Sequence, residues 1–412
     1  MLDPLLSRRG GTTVASIDRP WRFAPRGDYD ADTNPKGLVS FGTAENVRFN
    51  GQELLYRGSS PASTDFPDAL ANHLNEYLEP HSPIRPDQIE CSDSATAMHD
   101  TLAWALANSG DAFLTSRPVY GRFEIDFFNK AGVRVEYADT TADGCFDESV
   151  IDKFEETLAD CTRRGVSIKA VFIVNPHNPL GTYAGRHGIT GRCYPRGTLV
   201  ALLDFCQKHR LHLISDEIYA CSVFDSGEPD VVPFTSILSI DVDRHIDPRL
   251  LHVTYGLSKD FGAAGLRLGA VITRSESVLK AVRSVARFHN TSGPSLVIGT
   301  AMLRDDEWRR NFIRGSRAKI AAAYKHVSDG LRDMGIDYLP GSNAGFFIWI
   351  DLSPYLSPRE QFPEFALAAK LKDAGVFLHP KEEHCLKPGW FRLVYTQDPR
   401  TITEGLMRNN SE

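Results

Sequence analysis

The residue with most to offer chemically is Lys259, inside SKDFGAAGLRLG, Ser258 to Gly269. The string follows the apolar run LLHVTYGL (250–257), so Lys259 is expected in a loop at a strand end. A lysine placed there is partly desolvated, its pKa falls, and its amine becomes able to condense with a carbonyl. Gly262 and Gly265 permit tight backbone paths, and Arg267 offers a planar donor fork suited to a phosphate. A lone lysine beside an arginine would read as solvated surface; the whole string reads as a site.

Three further strings lie at element ends. NPHNPLG (Asn175–Gly181) follows IKAVFIVN (168–175), and its two Asn-Pro pairs predict a turn that aims the Asn178 amide into a cleft. Turn chemistry alone accounts for it equally well. SDEIY (Ser215–Tyr219) puts Asp216 just past the strand LHLI, where a carboxylate is costly unless paired. A protonated aromatic nitrogen is a suitable partner, with Tyr219 free to bond a neighbouring oxygen. Taken alone, Asp216 would be a helix cap or an internal ion-pair member. SATAMHDTLAWALANSG (Ser94–Gly110) has an N-cap in Ser94 and a stop in Gly110. The N–H groups of Ala95 and Thr96 would then form an anion site, although an ordinary capped helix has the same pattern.

The elements that must position these residues alternate in type. Strands are expected at 112–117, 133–139, 168–175, 211–216, 250–257 and 268–274, with helices near 96–109, 148–163, 196–209 and 275–289. Such alternation predicts a mostly parallel sheet covered on both faces, with ligands beyond the carboxyl ends of its strands. After about Trp308 the rhythm changes to a long amphipathic helix, then FFIWIDL (346–352) and WFRLVYT (390–396), an α+β unit. The expected organisation is an arm with part of a small domain at 1–60, a large domain at 61–304 and a C-terminal small domain at 305–412. A chain of 412 residues is long enough for roughly two such cores.

The net charge of −7 argues against a nucleic-acid or anionic-membrane surface. Seven cysteines, odd in number and without a Cys-x-x-Cys pair, fit reduced thiols and give no zinc framework. The N-terminal apolar run is broken by Asp3, Pro4, Arg8 and Arg9, and no stretch matches a membrane span. The expectation is a soluble cytoplasmic protein without a metal.

In order along the chain, the four strings resemble those of fold-type I pyridoxal 5′-phosphate enzymes of the class I aminotransferase family. The resemblance covers about Gly37 to Thr396 and implies a three-layer α/β/α domain, a smaller α+β domain and a homodimer with shared active sites. It also implies roles. Lys259 forms the Schiff base and moves the Cα proton. Asp216 pairs with the pyridine nitrogen. Asn178 and Tyr219 bind the phenolate oxygen. Arg267, Ser258 and the Ala95 and Thr96 N–H groups hold the phosphate. Tyr120, in RPVYGRF, stacks on the ring, and Arg392, in PGWFRLVYT, grips the substrate carboxylate. Core packing and a surface ion pair remain the alternatives for Tyr120 and Arg392 taken singly.

Within the family the sequence is most similar to 1-aminocyclopropane-1-carboxylate synthases and their relatives. NPKGLVSFGTAEN (34–46) resembles their Ala-Glu-Asn segment and puts Glu45 near the substrate. LLYRG (54–58) resembles the segment whose tyrosine, here Tyr56, crosses to the partner's phosphate. NAGFFIW (343–349) also fits. Two departures stand out. Gly256 replaces the family's phosphate-binding Ser three residues before Lys259, and SSPASTDF after Gly58 looks like an insertion beside the substrate entrance. The resemblance implies a carbon–sulfur lyase acting on S-adenosylmethionine or a cysteine S-conjugate, with an aminotransferase using a 2-oxo acid as the alternative. A ligand-sensing regulator is disfavoured, because the arm before Gly37 is too short for a DNA-binding domain.

Overall fold

The computed structural model describes residues 65–140, 144–180, 193–228, 231–373 and 387–396, with residues 4–8 and a few isolated positions near either end. Glu45, Tyr56 and the segments around them lie outside the described residues.

The helices are α1 (Asp65–Tyr77), α2 (Ala95–Leu106), α3 (Phe123–Phe128), α4 (Val150–Arg163), α5 (Arg196–His209), α6 (Leu257–Asp260), α7 (Glu276–Val285), α8 (Gly293–Arg304), α9 (Asp306–Asp333) and α10 (Pro363–Asp373). The strands are β1 (Ile89–Ser92), β2 (Ala112–Arg117), β3 (Arg134–Asp139), β4 (Ile168–Val174), β5 (His212–Asp216), β6 (Leu251–Gly256), β7 (Gly269–Thr273), β8 (Phe347–Asp351) and β9 (Trp390–Val394).

Seven strands form one sheet in the order β1-β7-β6-β5-β4-β2-β3. Only β7 runs against its neighbours. Both faces of the sheet are covered, which is why β2, β4, β5, β6 and β7 are buried almost along their whole length, whereas the edge strand β3 (RVEYAD) stays partly exposed. In β4, Val171 and Ile173 enter a core cluster shared with α1, α4 and α5. Ala170, Phe172 and Val174 point the other way, into a cluster with α2, α3 and α7. Burial of that kind stabilises by about 25 cal/mol per Å² of apolar surface. The result is the expected three-layer α/β/α arrangement.

The antiparallel pair β8–β9 has its own core, in which Ile348, Ile350 and Phe391 pack on Tyr324, Val327 and Leu331 of α9. This is the smaller α+β unit. Ile218, Tyr219 and Phe347 form a separate apolar contact between the two units.

Several expected ends shift. The helix after Ser94 stops at Leu106, not near Gly110, because Ala107 is already extended (φ −132°, ψ 156°). Asn108 and Asp111 then close a turn in which Gly110 takes φ 93°. The helix expected at 275–289 ends at Val285 and continues only as a 3-10 turn. Lys259 sits on the single helical turn α6, not in an open loop.

Candidate active site

The ends of β4, β5 and β6 lie side by side, with Val174 opposite Asp216 and Asp216 opposite Thr254. That register gathers the residues that follow each strand. Both Asn-Pro bonds after β4 are cis, and the turn they make brings Asn178 beneath β9.

Asp216 is the last residue of β5 and is buried. Its Oδ1 accepts from the Ile218 N–H at 3.2 Å and from Thr254 Oγ1 at 3.3 Å. Burial pushes its carboxyl above the usual range, opposed first by the charge of His99, whose Nε2 lies 3.6 Å from Oδ2. A buried carboxylate with few partners of its own is suited to a cationic guest.

Lys259 leaves β6 one turn later. Desolvation lowers its amine below the ordinary lysine value, Arg392 lowers it further, and Asp216 pulls it back up. Lysine, arginine and aspartate are therefore within electrostatic reach of one another. Lys259 also lines a cavity of about 790 Å³ running along α9 past Phe312, Ser316, Lys319 and His326 to Phe346. Of the residues gathered at the strand ends, it alone is in that wall.

Arg392, on β9, donates from Nη1 to Asn178 Oδ1 at 3.1 Å. Its guanidinium lies 5.5 Å from the ring centroids of both Tyr120 and Phe347. Tyr120 is held by its N–H to the Asn178 carbonyl (3.1 Å) and by an edge contact with Phe123. Tyr219 is buried against the edges of Phe346 and Phe347.

The anion cup is built by backbone. Ser94 caps α2 by accepting from the Ala97 N–H at 3.1 Å. The first N–H groups of a helix have no carbonyl of their own to bond, so those of Ala95 and Thr96 suit an anion. The cup presses on the sheet at Gly269, where any Cβ would collide with the Ser94 and Ala95 backbone. Arg267 adopts φ 52°, is exposed, and donates to the Ala264 carbonyl at 3.3 Å. Ser258 is half-buried on α6. A Cβ on Gly256 would come within 2.7 Å of the Leu268 carbonyl oxygen, which already accepts from the Leu257 N–H at 3.1 Å. The hydroxyl of the usual Ser therefore has no room.

The residues present fit a phosphorylated pyridine aldehyde: a depressed amine and a buried carboxylate follow or end the adjacent strands β6 and β5, and a helix N-terminus abuts the start of neighbouring β7. A model described as "Aminotransferase class I and II" matches residues 27–408. The chain belongs to that family. Membership implies pyridoxal phosphate as its cofactor. The 1-aminocyclopropane-1-carboxylate synthase-like protein 1 of Bos taurus is 31% identical, covering 98% of this chain and 82% of its own. The 1-aminocyclopropane-1-carboxylate synthase 3 of Oryza sativa subsp. japonica is 30% identical, covering 95% of this chain and 92% of its own. Among solved structures, a Thermus thermophilus aspartate aminotransferase double mutant superposes with a TM-score of 0.71 at 21% identity, over 88% of this chain and 85% of its own. That likeness shows the fold alone.

Two groups near the site escaped the sequence reading. His99, in the apolar face of α2, looks like any core histidine until the fold sets it against Asp216. Asp260 is a charged neighbour of Lys259 that turns inward. Its Oδ2 accepts from the Cys221 N–H at 2.8 Å and Tyr255 OH at 3.0 Å, and its Oδ1 accepts from Ser222 Oγ. Burial lifts its carboxyl to about 6 against those bonds. It ties the Lys259 turn to the segment carrying Tyr219.

Proposed function

We propose that this enzyme is a carbon–sulfur lyase acting on an amino acid, in the manner of 1-aminocyclopropane-1-carboxylate synthases or of cysteine S-conjugate β-lyases. The observation that carries the choice is similarity over nearly the whole chain to proteins bearing the synthase name.

Pyridoxal phosphate, when bound, supplies the electron sink for a carbanion at the substrate Cα. The chain's own groups do the rest. Lys259 would hold the cofactor through its amine and would move the proton at the substrate Cα; its lowered pKa leaves more of the amine free as a base. Asp216 keeps a proton on the ring nitrogen. Asn178 and Tyr219 steady the ring's phenolate oxygen, and Tyr120 lies against its face. Ala95, Thr96, Ser258 and Arg267 hold the phosphate. Arg392 exchanges Asn178 for the substrate carboxylate, which its fork can meet with two parallel bonds. Glu45 serves the substrate. Tyr56 crosses to the partner subunit's phosphate site in a cytoplasmic homodimer, with the small domain formed by 305–412 and part of 1–60.

The second reading, an aminotransferase with a 2-oxo acid acceptor, uses the same Lys259, Asp216 and Arg392. Incubation of the loaded enzyme with amino acid alone separates the two. A lyase releases a cyclopropane amino acid from S-adenosylmethionine, or a thiol, pyruvate and ammonia from a cysteine S-conjugate and water. Stoichiometric conversion of the cofactor to its amine form, with no turnover, would reverse the order of the readings.

A further inference from the structure

Beside Asp216 lies a row of titratable side chains that the reaction itself does not call for. His99 reaches from α2 with Nε2 3.6 Å from Asp216 Oδ2 and 3.4 Å from Thr254 Oγ1. Its other nitrogen, Nδ1, is 3.5 Å from Oδ2 of Asp126 on α3. The imidazole is buried inside an aromatic cage, with ring centroids of Phe123, Phe127 and Phe172 at 5.5, 6.0 and 5.4 Å. Three side chains from three separate elements thus line up as carboxylate, imidazole, carboxylate.

The electrostatics of that row depend on one proton. Charges in an apolar surround interact far more strongly than in water. Two carboxylates on either side of a neutral ring would repel through the cage and favour protonation of one of them. A positive charge on the ring, hydrogen-bonded to Asp126 and Thr254 and 3.6 Å from Asp216, leaves the row with a single net negative charge. The other groups facing the row do not substitute for it. Thr254 offers a neutral hydroxyl, the three phenylalanines offer none, and Lys259 acts on Asp216 from the cofactor side. Asp100, next to His99 on α2, is occupied elsewhere by Lys130 and His289.

We propose that His99, held by Asp126, is a positioning residue that keeps Asp216 ionised and its Oδ2 oriented for the cofactor's ring nitrogen. The proposal rests on the assignment of pyridoxal phosphate, not on the choice between lyase and aminotransferase. The direction of the Asp216 shift agrees: burial raises it and His99 is the largest opposing influence. Without His99, burial would act on Asp216 with less opposition, so its carboxyl would stay protonated up to a higher pH and hold the ring proton less firmly.

The test uses full-length protein loaded with pyridoxal phosphate and three variants, His99→Phe, His99→Gln and Asp126→Asn. Two quantities are read, neither of which is turnover: the pH midpoint of the bound cofactor's visible absorbance, and the dissociation constant of pyridoxal phosphate from the holoenzyme. Both His99 variants should shift the midpoint by about one pH unit and weaken retention roughly tenfold. His99→Gln keeps a hydrogen-bonding side chain without the charge, so its agreement with His99→Phe identifies charge as the cause. Asp126→Asn should move both readings the same way by a smaller amount. Asp126 lies at the edge of the cage, so its variant carries the test should a His99 variant fold poorly. Wild-type values in His99→Gln and Asp126→Asn would overturn the proposal and leave His99 a packing residue. Failure of the wild-type chain to take up pyridoxal phosphate would overturn the cofactor assignment and this proposal together.

Discussion

Arg392 on the small antiparallel sheet and Asn178 on the turn after β4 share a hydrogen bond of 3.1 Å, Nη1 to Oδ1. It joins the small antiparallel sheet to the turn after β4. The guanidinium lies 5.5 Å from the ring centroids of both Tyr120 and Phe347, so hydrogen bond and rings together restrict its fork before any substrate arrives. Pre-orientation of this kind lowers the entropic cost of binding.

Arg392→Lys should therefore retain the cofactor and lose substrate affinity. Lysine keeps the charge but brings one ammonium in place of a planar fork, and it stacks poorly on either ring. Loss of one charge-assisted hydrogen bond is about 1.5–3 kcal/mol, or roughly 10- to 100-fold in KM. Steady-state kinetics beside a cofactor absorbance spectrum checks this. Loss of the spectrum with KM unchanged would move Arg392 to the cofactor.

Lys259→Ala should abolish the visible absorbance of covalently held cofactor and all turnover. The residue sits on a one-turn helix at the wall of the cavity and fills no part of the core, so the apoprotein's stability should stay within about 0.5 kcal/mol of wild type. The spectrum and a urea melt together are decisive. Turnover at the wild-type rate would place the chemistry elsewhere.

The place of Lys259 just after β6 was legible because a strand end announces itself. The run AFLTSR (112–117) matches β2 residue for residue, the expected strand 211–216 ends with β5 at Asp216, and IKAVFIVN ends one residue past β4, where the Asn-Pro turn begins. β1 was not legible. Its four residues, IECS, contain Glu90, whose burial makes sense only beside Arg283, 193 residues away at 2.8 Å. α3, FEIDFF, is six residues long and no side chain caps its start, so it has neither helical length nor a start signal. His99 and Asp126 were equally silent, since their meaning lies in a meeting of α2, α3 and β5 that no local pattern encodes. The loss of a hydroxyl at Gly256 was visible, but its steric cause belongs to the pairing of β6 with β7.

Asp216→Asn should trade function for stability. Burial raises the folded-state pKa of Asp216 above its unfolded value of about 3.9, so the folded state binds the proton more tightly. The contribution is therefore favourable at low pH and is lost as pH rises through the folded pKa. Asp260 and Glu217, lifted to about 6 and about 7, act in the same direction but are common to both proteins. In urea melts of the apoproteins, the variant should gain on wild type as pH is raised above the unfolded value of about 3.9. It should also bind pyridoxal phosphate more weakly. A difference curve that falls with pH would mean Asp216 is stabilised as a carboxylate even without the cofactor.

Gly256→Ser would restore the hydroxyl that the family carries at this position, and should not restore a phosphate contact. Gly256 has φ −174°, extended backbone open to any residue, so the obstacle is space and not conformation. The added Cβ meets the Leu268 carbonyl at 2.7 Å and Ile218 Cδ1 at 3.1 Å. Leu268 cannot retreat freely, because its carbonyl holds the Leu257 N–H two residues before Lys259. Overpacking of this sort costs about 1–3 kcal/mol. Gly256→Ala separates the two effects, since it adds the Cβ without the hydroxyl. Both variants should lose similar stability in urea melts, and neither should hold pyridoxal phosphate more tightly than wild type. A serine variant that melts like wild type and binds the cofactor more tightly would show that β6 and β7 can part to admit the hydroxyl.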